Sequence, residues 1–523
     1  MALSSIIFQE GQGGLGRPLA NNDHISGMLF FTNGTLPSGF ATTSTATRCK
    51  ALYSAQDAIN AGIVKDYSDA TAATGTYTLS AYGAAGDTME LYVADISEVS
   101  GAAQSTSLGA YTRSAADTTN TLLAASYVAK INSGTASHGY SATNSGAVIT
   151  ITAPKRLGAF LNSGTPISAA LTGTIAGTIA QFSSGVASRM AQYHYQVKEF
   201  FRIQPQGKLW VGFFGVPSPY TFSEVTDMQN NAAGEIRQML VFKDAVWAAA
   251  DITALNTIAN ANELLYQPIQ LLYAANLQAT TDITAVTDLS TYTANNVMTV
   301  IGQDGAGWGN FLYKTNGSAS LKSITCGGAQ LGMSSLRRVH ESIGWVEKSN
   351  ISDGTEMEVP AFCNGQLVSA LSNNALNAID AKRYVFPIKL TGYQGTFFNA
   401  DHMAVSPSSD YAGLRDNRTI SKAERLLYAA YVPKLNSPLA FNSNGTLADT
   451  TIAELEGIGY AALDSMTRID PVAGGIPELS AKAVVINPSQ NVVQTQTLII
   501  SVTLVANGIA KTIVIPIGYK PSL

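Results

Sequence analysis

The sequence predicts a multidomain α+β and α/β chain: a central layered α/β core, a C-terminal α+β domain ending in a β-hairpin, and an inserted β-rich domain. Three observations predict it. At 523 residues the chain exceeds the size at which one hydrophobic core keeps growing, so two to four domains are expected. From Met190 onward, strand-like apolar runs alternate with helical ones, the pattern of a sheet with crossover helices. Between Tyr67 and Ser188 the small residues Thr, Ala, Ser and Gly dominate and charges thin out, while short strands alternate with loops.

Taken in order, residues 1 to about 70 offer a short extended segment (Ser4 to Phe8), a Gly-rich stretch and a helix-like run from Cys49 to Ile63. The opening residues read as an arm rather than a core. In the Thr/Ser-rich region, strands are expected at Met89 to Ile96 and Ala147 to Thr152, with one helix near Thr118 to Asn132. Val148, Ile149, Ile151, Leu157 and Phe160 supply a small core, which argues against a disordered linker. The α/β part places strands at Lys208 to Phe214, Pro268 to Tyr273 and Asn296 to Ile301. Helices are expected at Thr221 to Leu240, Ile252 to Leu265 and Gln330 to His340. Ala375 to Ala381 is helical and Tyr384 to Leu390 extended. Two further helix starts carry an S/T-x-x-E capping box, at Ser421 to Glu424 and Thr451 to Glu454.

The chain ends in β structure: Ala481 to Ile486, Thr497 to Ala506 and Ile509 to Ile517. Asn507-Gly508 is a strong hairpin signal, because both residues tolerate the positive φ of a type I′ turn. A two-residue turn there sets Leu504 opposite Lys511, Val502 opposite Ile513, Ile500 opposite Ile515 and Leu498 opposite Ile517. Pro516 cannot donate to a ladder, so the last strand belongs at an edge, where an apolar strand invites pairing with another chain.

Charged residues are 13% of the chain, about half the usual share, which leaves a surface of small neutral side chains suited to packing against copies of itself. The net charge of −5 and the lack of a basic stripe argue against direct nucleic-acid binding. Cys49, Cys326 and Cys363 are scattered, so neither a disulfide framework nor a metal knuckle is encoded. The first residues lack a basic n-region and a long apolar core, so no secretion signal is read and a cytosolic site of synthesis is expected. Leu498 to Ile517 alternates with period two and is interrupted by polar residues, which excludes a membrane span.

Motifs for chemistry are weak. Gly11 to Gly16 matches G-x-G-x-x-G, but Pro18 follows at once and no βαβ unit surrounds it. Gly302 to Gly309 is glycine-rich yet lacks the Lys-Ser/Thr of a phosphate loop, and reads as a loop after a strand. His24, His138, His194, His340 and His402 form no pair at metal spacing. No G-x-S-x-G elbow is present. No catalytic residue, cofactor or metal is expected, and the chain is read as a non-enzyme. One pattern points to a partner. Arg418, Lys422 and Arg425 lie at i, i+4 and i+7 on one helix face, a basic stripe in a charge-poor chain that could dock an acidic surface.

From about Tyr384 onward the chain resembles the C-terminal domain of contractile tail sheath proteins of the Mu-like prophage type. The resemblance lies in Leu414 to Ala423 (LRDNRTISKA) opening a helix, the link Ser437 to Asn444, the helix Thr451 to Met466 and the closing hairpin. Upstream, Tyr193 to Phe201 (YHYQVKEFF) leading into Gly207 to Gly212 (GKLWVG) looks like the sheath entry to the α/β domain. Residues 117 to 162 are similar to a β module inserted in some phage tail proteins. The resemblance implies a division into an N-terminal arm (1–20), the start of the sheath core (21–66), an inserted domain (67–188), a central α/β domain (189–383), a C-terminal sheath domain (384–510) and a C-terminal arm (511–523).

It also implies a function: stacked hexameric rings around an inner tail tube, which contract to drive the tube through a target envelope. Arms would add strands to sheets of neighbouring copies, with Ser5, Ile6, Ile7 and Phe8 at one end and Ile513, Val514, Ile515 and Ile517 at the other. The helix with Arg418, Lys422 and Arg425 would face the tube. The implied partners are further copies of the chain, the inner tube protein, and baseplate and neck or terminator proteins, with no membrane insertion. The implied location is the virion tail, assembled in the host bacterial cytoplasm. The competing expectations are another virion structural protein, or a surface adhesin with a β-rich binding module.

Overall fold

The computed structural model describes residues 22–277, 279–316, 323–469 and 475–517. It is a mixed α/β structure with several sheets, divided into two compact units. The first holds the chain up to Arg337 together with Ser342–Leu414, and the second holds Arg338–Glu341 and the chain from Arg415. Residues 384–414 thus lie in the first unit, because Tyr384–Val385 is the edge strand of its main sheet.

That sheet has seven strands, in the order Tyr384–Val385, Val297–Val300, Gln270–Ala274, Gln238–Phe242, Ser26–Phe31, Leu209–Phe214 and Cys49–Leu52. All neighbours are parallel except Cys49–Leu52, which is antiparallel. Both faces are covered, so the strands carry nearly continuous apolar runs. Leu29 and Phe31 point into one core with the helices Glu224–Asn231, Ala249–Leu264 and Asn373–Ala381. Met28 and Phe30 point into the other, with Ala55–Asn60, Arg189–Ile203 and Gly327–Leu336.

Two expectations need correction, and one strand has no counterpart among them. Ser26–Phe31 was not foreseen as a strand, although it lies between two others in the sheet. Cys49 to Ile63 is a strand and then the helix Ala55–Asn60 capped by Ser54, because Cys49–Leu52 gains a ladder on Leu209–Phe214. Thr221 to Leu240 likewise divides into the helix Glu224–Asn231 and the buried strand Gln238–Phe242. In both cases sheet pairing overrides a helix-compatible pattern.

The helices Arg189–Ile203 and Gly327–Leu336 approach closely because Gly328 and Gly332, four residues apart, share the contact face. A Cβ on Gly328 would stand 2.2 Å from the Gln196 carbonyl oxygen, and one on Gly332 2.8 Å from that of Phe200. Backbone cannot yield as a side-chain tip does. Gly328→Ala is therefore expected to lower the unfolding free energy by about 3 kcal/mol, at the upper end for an overpacked core. Denaturant melts would check this, and a loss below 0.5 kcal/mol, the size of ordinary surface changes, would refute it.

The 67–188 region folds around two sheets. One runs Ile175–Ser183, Thr74–Tyr82, Val148–Thr152, Ser141–Ser145, and the other is built on Thr88–Ile96, flanked by Ala103–Ser107, Tyr111–Thr112 and Ile167–Leu171. The expected helix forms as Asn120–Ser133, capped by Thr119, and Leu123, Tyr127, Ile149, Ile151 and Leu157 share one core. The Tyr127 hydroxyl bonds to the Leu91 backbone within it, at 2.6 Å.

Gly302 to Gly309 is not the expected loop throughout: Gly302–Asp304 is a strand paired with Pro360–Phe362, and Trp308 opens the helix Trp308–Thr315, so only the turn between them is loop. Asp304, fully buried, accepts from the backbone N–H groups of Ala306, Gly307 and Met357, and Glu356 accepts from Trp308 N–H. The amides a phosphate would need are thus held by carboxylates of the same chain. Beside it, His194 packs edge-on to Trp308, with ring centroids 5.5 Å apart. Burial, aided by the positive charges of Lys198 and Lys65, lowers its imidazole to about 4. Because this lies below the ordinary value near 6.5, the unfolded chain binds the extra proton first, and stability is lost as pH falls from about 6.5 to about 4. The loss from this one group is about 3 kcal/mol. His194→Phe keeps the ring packing and is expected to flatten that part of the stability profile. Parallel pH profiles for the two proteins would contradict the assignment.

Candidate assembly surface in the C-terminal unit

The second unit packs the helices Leu414–Tyr431, Asp449–Ala462 and Asp464–Thr467 on a sheet of Leu479–Ile486 and Ile500–Ala506. The two expected capping boxes do not start these helices. Ser421 is buried inside the first, which begins at Leu414 with Asp416 in its first turn, and Thr451 is the third residue of the second, which begins at Asp449. Acidic side chains at the positive end of the helix dipole mark both starts better than the boxes do.

The sheet is not the expected one either. Ile500 pairs with Ile486, Val502 with Val484 and Leu504 with Lys482, whereas residues 507–517 form no strand, so the Asn507-Gly508 hairpin is corrected. The physical reason lies in the inner face. Val484 is buried against Ala423, Leu463 and Met466, with Ile500, Val502 and Leu504 packed beside it, so Leu479–Ile486 brings a helix-backed apolar face that Ile509 to Ile517 cannot offer.

Two features leave this sheet incomplete. The first is its edge. Ile486 donates its backbone N–H to the Glu456 carboxylate at 2.8 Å. Antiparallel alternation then gives the cross-strand bonds to the Val485–Ser501 and Ala483–Thr503 pairs, and turns the backbone groups of Val502 and Leu504 to the outer edge of the last strand. The Gln490 side chain brackets the strand's start, accepting from Ile499 N–H and donating to its carbonyl. The second is the outer face, where Val485 and Val505 are about half exposed.

Beyond it, Ile513, Val514, Ile515 and Ile517 are between 74% and 93% exposed and belong to no strand. Ser5, Ile6, Ile7 and Phe8 lie outside the described residues, as does the Gly11 to Gly16 motif. The basic stripe is partly internal. Arg418 is buried, with its guanidinium near the Arg338 carbonyl at 3.4 Å, and Lys422 bonds Glu478 at 2.8 Å. Glu478 itself is buried, with the Arg338 guanidinium 4.0 Å from the same carboxylate oxygen. Arg425 is half-buried. The sequence reading missed Glu456, Gln490 and Glu478, polar residues whose roles depend on tertiary neighbours.

Among the described residues no group of three or more His, Cys, Asp and Glu could hold a metal ion, and no helix is long and apolar enough to cross a membrane.

Residues 3–402 match the family described as DUF2586, N-terminal domain, and residues 410–523 match DUF2586, C-terminal domain. No curated protein matches the chain. Among solved structures, a chain of the anti-feeding prophage baseplate is 12% identical, with 62% of this chain and 80% of that one covered and a TM-score of 0.41. The sheath tail protein of Desulfitobacterium hafniense is also 12% identical, with 96% and 100% covered and a TM-score of 0.33.

Proposed function

The chain belongs to the DUF2586 family, and from that footing we propose that it is a structural subunit of a contractile tail sheath. It would polymerise as stacked hexameric rings around an inner tube and contract to drive that tube through a target envelope. The observation that carries this reading is the unfinished C-terminal sheet, with an open edge at Val502 and Leu504 and an exposed Ile/Val run beyond it. A run of such high β-propensity in solvent is an aggregation hazard in a monomer and an asset in a polymer, where it adds a strand to a neighbour's open edge. The charge content of 13% fits a surface that meets copies of itself. The sequence resemblance to sheath proteins supports the same reading.

In this proposal residues 1–20 and 511–523 are the arms, and the helix Leu414–Tyr431 faces the inner tube through Arg418, Lys422 and Arg425. Arg425 is the position to test for the tube contact, because it is less buried than Arg418, and Lys422 pairs with the buried Glu478. Arg425→Glu is expected to reduce co-sedimentation with the inner tube protein while assembly of the chain alone persists, and undiminished co-sedimentation would remove the tube from the role of that helix. The reading as a whole is tested by negative-stain electron microscopy of the concentrated chain, alone and co-expressed with the inner tube protein. Hollow cylinders in either sample support it, and dispersed particles in both overturn it.

A further inference from the structure

Asn507-Gly508, which forms no hairpin, has a chemistry of its own. An asparagine followed by glycine can lose its side-chain amide: the backbone nitrogen of the next residue attacks Cγ, and glycine has no Cβ to stand in the way. The sequence holds five such pairs, beginning at Asn33, Asn316, Asn364, Asn444 and Asn507. The fold separates them by what holds the attacking nitrogen.

Three of the glycine amides are engaged. Gly34 donates its N–H to the Thr32 hydroxyl at 3.0 Å, Gly365 to the Phe362 carbonyl at 2.8 Å and Gly445 to the Asn442 carbonyl at 2.9 Å. The three asparagine side chains are pinned as well, accepting from the backbone N–H groups of Val216, Gln366 and Thr446 in turn. Asn316 is buried, and Gly317 lies outside the described residues. Gly508 differs. It is exposed, it belongs to no strand, and among the described residues its N–H has no hydrogen-bond partner. The Asn507 carboxamide accepts from the Ser480 hydroxyl and donates to the Pro477 carbonyl, both at 2.5 Å. Ser480 is exposed, so water replaces its bond at little net cost and frees the side chain to turn toward Gly508.

We propose that Asn507 is a self-modification site and that its conversion withdraws the run 508–517 from assembly. The only co-reactant is water. The Gly508 nitrogen bonds to Asn507 Cγ as the Cγ–Nδ2 bond breaks, the Gly508 proton leaves with the amide nitrogen as ammonia, and a cyclic imide results. Water then adds to one imide carbonyl and opens the ring to aspartate, or to isoaspartate, in which the main chain runs through the former side chain. Either product carries a new negative charge and lacks the N–H that Asn507 gives to Pro477, so a carboxylate faces a carbonyl oxygen and the tie to the entry of Leu479–Ile486 breaks. Isoaspartate also lengthens the main chain by one methylene and redirects the apolar run as it leaves the sheet. The modification is independent of the sheath reading, whereas its effect on assembly rests on that reading.

The test is peptide mass mapping of the full-length chain during storage in mildly alkaline buffer, with the engaged pairs as internal standards. A net backbone hydrogen bond withholds the attacking amide by about tenfold at the upper end of its worth. Conversion at Asn507, seen as the mass gain from amide to acid in two products of equal mass, is therefore expected about tenfold faster than at Asn33, Asn364 and Asn444. Gly508→Ala adds a methyl where no atom lies within 4 Å, and is expected to slow conversion at 507 at least tenfold with an unchanged melting temperature. Fresh native chain, and Gly508→Ala both fresh and stored, are expected to assemble, and stored native chain to fail. Conversion at Asn507 no faster than at the three engaged pairs overturns the site. Conversion that leaves assembly intact, or an equal loss on storage in Gly508→Ala, overturns the withdrawal of the run. If fresh native chain forms no cylinders while Asn507 still converts, the sheath reading and the effect on assembly both fall, and the modification is supported.

Discussion

Removal of residues 511–523 is expected to leave the melting temperature unchanged and to abolish assembly, the largest functional effect of any change to this chain. Ile513, Val514, Ile515 and Ile517 are 74% to 93% exposed, so their loss takes almost no buried area from the monomer. In the assembled state they would supply a strand. Pro516 adds geometric detail. In a strand, residues two apart share both side-chain face and N–H direction, and Pro516 has no N–H to give. Pro516 and Val514 must then turn their backbone groups away from the accepting edge, leaving Ile513, Ile515 and Ile517 to form the ladder. Ile513→Pro is accordingly expected to block assembly as the truncation does, while Val514→Pro is tolerated. Sedimentation and electron microscopy read both. Cylinders from the truncated chain would end the arm proposal, and equal loss from both proline variants would end this register.

Much of the fold is legible in the sequence where pattern and packing coincide. The strands at Leu209–Phe214, Gln270–Ala274 and Val297–Val300, and the helix Asn120–Ser133, follow from local periodicity, because each is a complete amphipathic or apolar run between turn residues. The misses share a cause. Ser26–Phe31 is six residues after a glycine-rich opening, too short to identify by periodicity, and its place between Leu209–Phe214 and Gln238–Phe242 comes from residues about two hundred positions away. The Asn507-Gly508 turn is a sound local signal overridden by a nonlocal one, since Leu479–Ile486 arrives already backed by helices. The apolar character of the C-terminal run was readable, while its lack of a strand within the chain was not. The basic stripe was visible too, but the burial of Arg418 and the reach of Glu478 to Lys422 depend on how residues 478 and 422 meet in the fold.

That meeting sets the second large effect, on stability. Lys422→Met keeps the aliphatic stem and removes the ammonium, leaving Glu478 buried with the Arg338 guanidinium 4.0 Å away. Breaking a buried ion pair from one side typically costs about 3–5 kcal/mol, because the remaining charge stays in a poorly solvated site. Arg338 compensates in part, so a loss of about 3 kcal/mol is expected. It falls on a unit whose two cores are small, centred on Ala423, Leu463 and Val484 in one and on Leu455 and Ile486 in the other. A chain with two units need not melt in one step, so a single midpoint is the wrong readout. Hydrogen exchange by mass spectrometry resolves it: protection should fall across 479–506 and hold across 209–214 and 238–242. Adding Glu478→Gln to Lys422→Met removes the stranded charge and should restore most of the protection. If the single variant exchanges as the native chain does, Lys422 is a surface cation after all and the stripe regains its full strength as a docking face. If it unfolds and the second change rescues it, Lys422 holds the sheet proposed to receive a neighbouring strand, and any effect of its loss on the proposed tube contact is indirect.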